Sequence, residues 1–150
     1  MSNQDAPFGL KSVGKIGSGY NNEGVTEYKI ASGATGSIFS GDLVKMLNTG
    51  TVLVAGATDN PVLGVFRGCQ YTDASGDVIY SSYWPTATVT SDAVAFVVDD
   101  PNALFEVQSA ATGSVVQTVV GNNADSVYTA GSTQTGMSGV EISGTTAATS

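Results

Sequence analysis

From Thr26 onward apolar and polar residues alternate with a period of two, the repeat of a half-buried β-strand. Thr26-Glu27-Tyr28-Lys29-Ile30 sets the pattern. A Gly/Ser/Thr turn from Ala31 to Ser37 leads into Ile38-Phe39, and Gly41-Asp42-Leu43-Val44-Lys45-Met46-Leu47 follows. Asn48-Thr49-Gly50 then reads as a hairpin turn into Thr51-Val52-Leu53-Val54. Beyond a polar connection through Asp59-Asn60-Pro61 comes a strand from Val62 to Gln70, in which Gly64 and Gly68 predict a barrel bend or bulge. Tyr71 to Asp77 is a predicted turn, Val78-Ile79-Tyr80 a strand, and Ser82-Tyr83-Trp84-Pro85 an aromatic cluster closed by proline. Ala93 to Val98 is the most apolar run, and Leu104 to Gln108 the next strand. After Gln108 the chain thins to Ser, Thr, Gly, Ala, Asn and Val, with strands expected at Val115–Val120, Ser126–Tyr128 and Val140–Ile142. No segment holds helical periodicity beyond two turns.

Residues 1–24 differ. Pro7, Phe8, Leu10, Val13 and Ile16 are spread among five glycines without a steady period, and the stretch Gly17 to Asn22 is turn-rich. This reads as an extended arm that docks on a neighbouring surface; a disordered tail is the other reading, and it would waste the apolar residues. Short strands with closely spaced turns then predict an all-β fold, a small antiparallel β-barrel or β-sandwich with an extended N-terminal arm. The organisation is an arm over 1–24, a barrel or sandwich core over 25–107, and a Gly/Ser/Thr-rich β extension over 108–150. Gly144 to Ser150 supplies no finishing element, so the natural chain is expected to continue past it.

Composition agrees. Gly, Ala, Ser, Thr and Val account for 88 of the 150 residues and Leu for only six, which argues against a helical bundle. The charge is asymmetric. Lys11, Lys15, Lys29, Lys45 and Arg67 all precede Gly68, where Asp5, Glu23, Glu27, Asp42 and Asp59 balance them; the remaining 83 residues carry the whole net charge of −8. A cation-free stretch of that length cannot neutralise phosphates, so neither nucleic acid nor an anionic membrane is expected as a partner. The polar N-terminus lacks an apolar core and no apolar run approaches membrane-spanning length, so a soluble protein made in a cytoplasm is expected.

Candidate chemistry is sparse. Without histidine, the usual neutral-pH acid–base groups, the Ser–His and Cys–His nucleophiles and most zinc sites are lost. Gly17-Ser18-Gly19 with Gly24 lacks the Lys and the strand-to-helix context of a phosphate loop. Ser12-Val13-Gly14-Lys15 matches Ser-x-x-Lys but has none of its partner motifs. Asp73, Asp77, Asp99 and Asp100 could offer oxygens to calcium, yet Asp73 to Asp77 lacks EF-hand spacing and aspartates commonly start turns. No metal or cofactor is expected. Cys69, alone and on an apolar strand, reads as an inert buried thiol. Tyr80, Tyr83 and Trp84 could form a stacking platform or an interface anchor. Trp84 reads better as core, while Tyr83 stays open.

Several ordered segments resemble a family of small virion proteins of tailed bacteriophages, many infecting cyanobacteria and other marine bacteria, that serve as capsid decoration (cement) or minor capsid proteins. They are Asn3 to Lys11, Ile38 to Val44, Gly64 to Cys69, Ser82 to Pro85 and Ser91 to Pro101. The resemblance covers most of residues 3–107 and weakens after Gln108. It implies a non-enzymatic homotrimer on the outer capsid surface of the virion, made in the host cytoplasm, clamping neighbouring subunits of the major capsid protein. A clamp of this kind adds buried area across joints strained by packaged DNA. An extended 24-residue arm reaches roughly 80 Å, and strand addition and symmetry multiply its contacts. Capsid contact is then expected at Pro7, Phe8, Leu10, Lys11 and Lys15, with the acidic later half facing solvent. Two rival expectations are a phage receptor-binding or carbohydrate-binding module using Tyr80, Tyr83 and Trp84, and a small carboxylate enzyme using Asp99 and Asp100.

Overall fold

The computed structural model describes residues 5–17, 24–59, 61–110 and 115–144. The turn-rich stretch from Ser18 to Asn22, Asn60 of the polar connection and the chain's last six residues lie outside them. The alternating segments become strands: β1 (Lys11–Lys15), β2 (Thr26–Ile30), β3 (Ile38–Phe39), β4 (Leu43–Met46), β5 (Thr51–Val54), β6 (Gly64–Thr72), β7 (Val78–Ser81), β8 (Tyr83–Trp84), β9 (Val94–Val98), β10 (Ala103–Glu106), β11 (Ser126–Val127) and β12 (Glu141–Ile142).

Five strands close a barrel in the order β4-β5-β2-β9-β6, with β6 returning to β4 through Leu43 opposite Val65 and Val44 opposite Gly64. Closure leaves these strands no unpaired barrel edge. Four seams are antiparallel and the β2–β5 seam is parallel, with Lys29 opposite Thr51 and Ile30 opposite Val52. β7 extends the sheet along the far half of β6.

β6 serves three neighbours, β4, β7 and β9, by bending. Opposite β9, Phe66 faces Val97 but Gly68 faces Phe96, so Arg67 is an extra, bulged residue, where the sequence predicts a bend. The bulge resets the alternation, and Val65, Phe66, Gly68 and Cys69 are all buried. Gly64 is needed for close approach, because a methyl there would collide with the Val98 carbonyl oxygen.

Ile30, Val44, Val52, Phe66, Cys69, Ala95 and Val97 fill the interior together with Ile38, Trp84 and Ala93. Trp84 is fully buried and meets the Tyr71 ring edge-on, centroids 5.3 Å apart. The extension from Gln108 packs back on this core. Ser40 donates to Gly136 O and Ser138 donates to Ser40 O, while Val140 is buried.

Two segments differ from expectation. Val115–Val120 is not a strand: Gln117–Val119 forms a 3-10 turn, with Val115, Val116 and Val120 exposed. Valine favours strands only where a neighbour accepts its backbone, and among the described residues none pairs there. Lys11–Lys15, by contrast, is a strand despite its aperiodic sequence. A bulge between Ser12 and Gly14 inserts Val13 and breaks the alternation that the eye would follow.

Candidate functional site

β1 finds its partner within its own chain. It pairs antiparallel with β10, Lys11 opposite Glu106, Ser12 opposite Phe105, Gly14 opposite Leu104 and Lys15 opposite Ala103, and Ile16 N–H donates to Asn102 O. The preceding residues are tied down too. Leu10 N–H donates to Gly41 O at 3.0 Å, and Gln108 bridges Asp5, Ala6 and Glu141 through its amide. Gly9 has φ +72° and lies so tightly under Ser138 and Gly41 that a Cβ would sit 2.5 Å from Ser138 Cβ. The described part of the segment expected to reach a neighbour is therefore anchored on the protein itself as far as Ile16.

Anchoring creates a ribbon. In the two-stranded β1–β10 sheet, Lys11, Gly14, Leu104 and Glu106 share the outer face, while Ser12 is buried on the inner one. Val13 is 52% exposed, Ile16 62% and Leu104 44%, a concentration of apolar surface on a short element. Val13 and Ile16 were legible as apolar arm residues; Leu104 was not, because nothing local places it beside Gly14.

Among the expected contact residues, Pro7, Phe8 and Leu10 are half-buried against the chain itself, and Lys11 is exposed. Lys15 is bound to Asp100, Nζ to Oδ2 at 2.6 Å, and the ammonium with the Asn102 N–H holds the Asp100 carboxyl below its usual range. Asp99 accepts from Tyr28 Oη at 2.8 Å and Thr26 Oγ1 at 3.0 Å, and its carboxylate pushes the Tyr28 phenol up. Lys15, Thr26, Asp99 and Asp100 line a cleft of about 300 Å³ between the ribbon and the start of β2. Both carboxylates are thus engaged as structural acceptors joining ribbon to barrel, and Asp100 is kept ionised rather than poised to give up a proton.

The other candidates disperse. Asp73 caps its own turn, accepting from Ser75 and Asp77 N–H, and among the described residues no three metal-ligating side chains converge. Tyr80 is 72% exposed on β7, Tyr83 stacks on Phe39 with centroids 5.5 Å apart, and Trp84 lies in the core, so the three do not form one platform. Burial pushes the Cys69 thiol up to about 12, and its Sγ–H points at Tyr83 O. No helix among the described residues is long and apolar enough to cross a membrane.

Sequence reasoning missed Asp42. Its side chain is fully buried where β3, β4, β6 and the extension meet; Oδ2 accepts the Phe39 N–H at 2.8 Å, and Oδ1 has no hydrogen-bond partner. The signal was present as an aspartate three residues after Phe39, but its burial is a tertiary fact.

The class this geometry defines is a closed five-strand β-barrel carrying a tethered two-stranded ribbon. Comparison with protein-family models, with curated proteins and with solved structures found no match.

Proposed function

We propose that this chain is a capsid decoration protein: a non-enzymatic β-barrel that binds the outer surface of an icosahedral phage head as a homotrimer and clamps neighbouring major capsid subunits. The observation that carries the reading is the ribbon. An element built of two short strands, bearing Val13, Ile16 and Leu104 exposed, suits a surface that becomes buried on contact. The ordered segments that resemble phage cement proteins support the same reading. Of its three residues, the carbohydrate-binding alternative keeps Tyr80 exposed and Tyr83 exposed in part.

The decisive measurement is mass spectrometry of purified virions from the source of this sequence, combined with electron microscopy of their heads. The chain is expected in fixed ratio to the major capsid protein, with barrel-sized density on the outer face; its absence from intact virions overturns the reading. A Val13→Asp, Ile16→Asp double variant separates contact from folding. Both sites are exposed, so the melting temperature should stay within about 3 °C. Head occupancy should fall about tenfold or more, as expected when a contact hot spot is lost.

A further inference from the structure

We infer that the β1–β10 ribbon is also a self-assembly element, in which the open edge of β1 in one copy pairs with the open edge of β10 in the next. The inference shares with the proposed function only the premise that the ribbon is a contact element, and it is tested without any capsid.

Among the described residues neither β1 nor β10 pairs with a third strand. An isolated two-stranded sheet is marginal in water, and open edges bearing exposed Val13 and Leu104 invite strand addition. Charge then chooses the occupant. Lys15 is spent on Asp100, but Lys11 and Glu106, opposite one another on the outer face and both exposed, form no ion pair with any described residue. One edge therefore ends in an uncommitted cation and the other in an uncommitted anion.

Head-to-tail addition of a second copy sets Lys11 of one chain against Glu106 of the next. Pairing two β1 edges would instead set lysine-bearing edges together with no acid between them, and pairing two β10 edges would leave Glu106 with no cation. The net charge of −8 makes two copies repel on average, and the ribbon is a place where a copy presents a lysine unpaired among the described residues beside exposed apolar surface. A heterologous contact of this kind propagates around a closed ring of identical chains when its rotation closes, and strand twist favours such closure.

The test uses the full chain at micromolar concentration, followed by native mass spectrometry and light scattering. The unaltered protein is expected to form a discrete oligomer. Lys11→Glu alone and Glu106→Lys alone should each weaken it at least tenfold, with thermal melts showing that both variants remain folded. Mixing the two variants should then restore oligomers containing both chains, with every contact between unlike neighbours in an even ring and all but one in a trimer, because the exchanged charges meet again only between copies; within each chain the like-charge opposition persists. Val13→Asp, which leaves the charges alone, should dissociate the oligomer and resist rescue by mixing.

A monomeric unaltered protein, an oligomer indifferent to the single variants, or a mixture as dissociated as its components overturns the inference. Self-association without virion incorporation would count against the capsid reading and leave this one standing.

Discussion

A fully buried carboxylate is expensive to ionise, since the Phe39 N–H and the Ser138 hydroxyl offset its desolvation only in part. Burial raises the Asp42 pKa above its ordinary 3.8, against the opposing pull of the Phe39 N–H and the Ser138 hydroxyl. The folded state therefore binds its proton more tightly than the unfolded chain does. The contribution of this group is present in full below about pH 3.8 and is lost as pH rises through the higher folded value. Asp42→Asn, which mimics the neutral acid, is expected to melt like the unaltered protein near pH 3.5 and at higher temperature near pH 7. Equal melting temperatures at both pH values would show that Asp42 ionises without cost. Asp92 runs the other way. Hydrogen bonds from Thr72 and Thr90 hold it down to about 2, so its contribution is present above the ordinary carboxylate range and fades only in strong acid.

Among the elements, the ribbon shows how far local reasoning carries. The most apolar run locates β9, and alternation locates β2, β4 and β5 within a residue or two because one face of each meets the core and the other does not. It fails at β1, where the Val13 bulge interrupts the period, and at Val115–Val120, where valines sit in a 3-10 turn with no buried face. The contrast predicts opposite outcomes for chemically identical substitutions. Val140→Ala, at a fully buried site in the extension, removes roughly 2 kcal/mol of burial and should lower the melting temperature by about 4–8 °C. Val120→Ala, at a site 70% exposed, should change it by no more than about 2 °C. A matching loss at both positions would mean that the 3-10 turn packs against something in solution.

At the scale of the molecule, the barrel and the segments on either side of it interlock. The N-terminal segment meets Gly41, the extension meets Ser40, and Gln108 ties Asp5 to Glu141, so contacts more than a hundred residues apart in sequence define one site. The lysines of β1 lie on this interlocked edge, Lys15 neutralised by Asp100 and Lys11 left free of the described acids. If the ribbon is the contact surface, screening should matter little for the apolar part and more for the charged part. Raising salt from 0.05 to 1 M, where the Debye length shrinks to about 3 Å, is expected to weaken self-association of the unaltered chain only modestly. It should also narrow the gap between that chain and the Lys11→Glu variant. A gap that salt leaves unchanged would assign the loss to strand distortion rather than to charge.

By itself the sequence determined the all-β class, the turns, the bend in β6 and the absence of cations after Arg67. Each of these follows from neighbours in the chain, where side-chain size, alternation and glycine spacing act over a few residues. Only the tertiary structure decided that the barrel closes from β6 back to β4, that β2 and β5 run parallel, and that β1 takes β10 as its partner. It also buried Asp42 and left Val13, Ile16 and Leu104 in the open. Strand pairing and burial are contests among distant segments for the same backbone groups and the same interior space, and no local pattern records which segment wins.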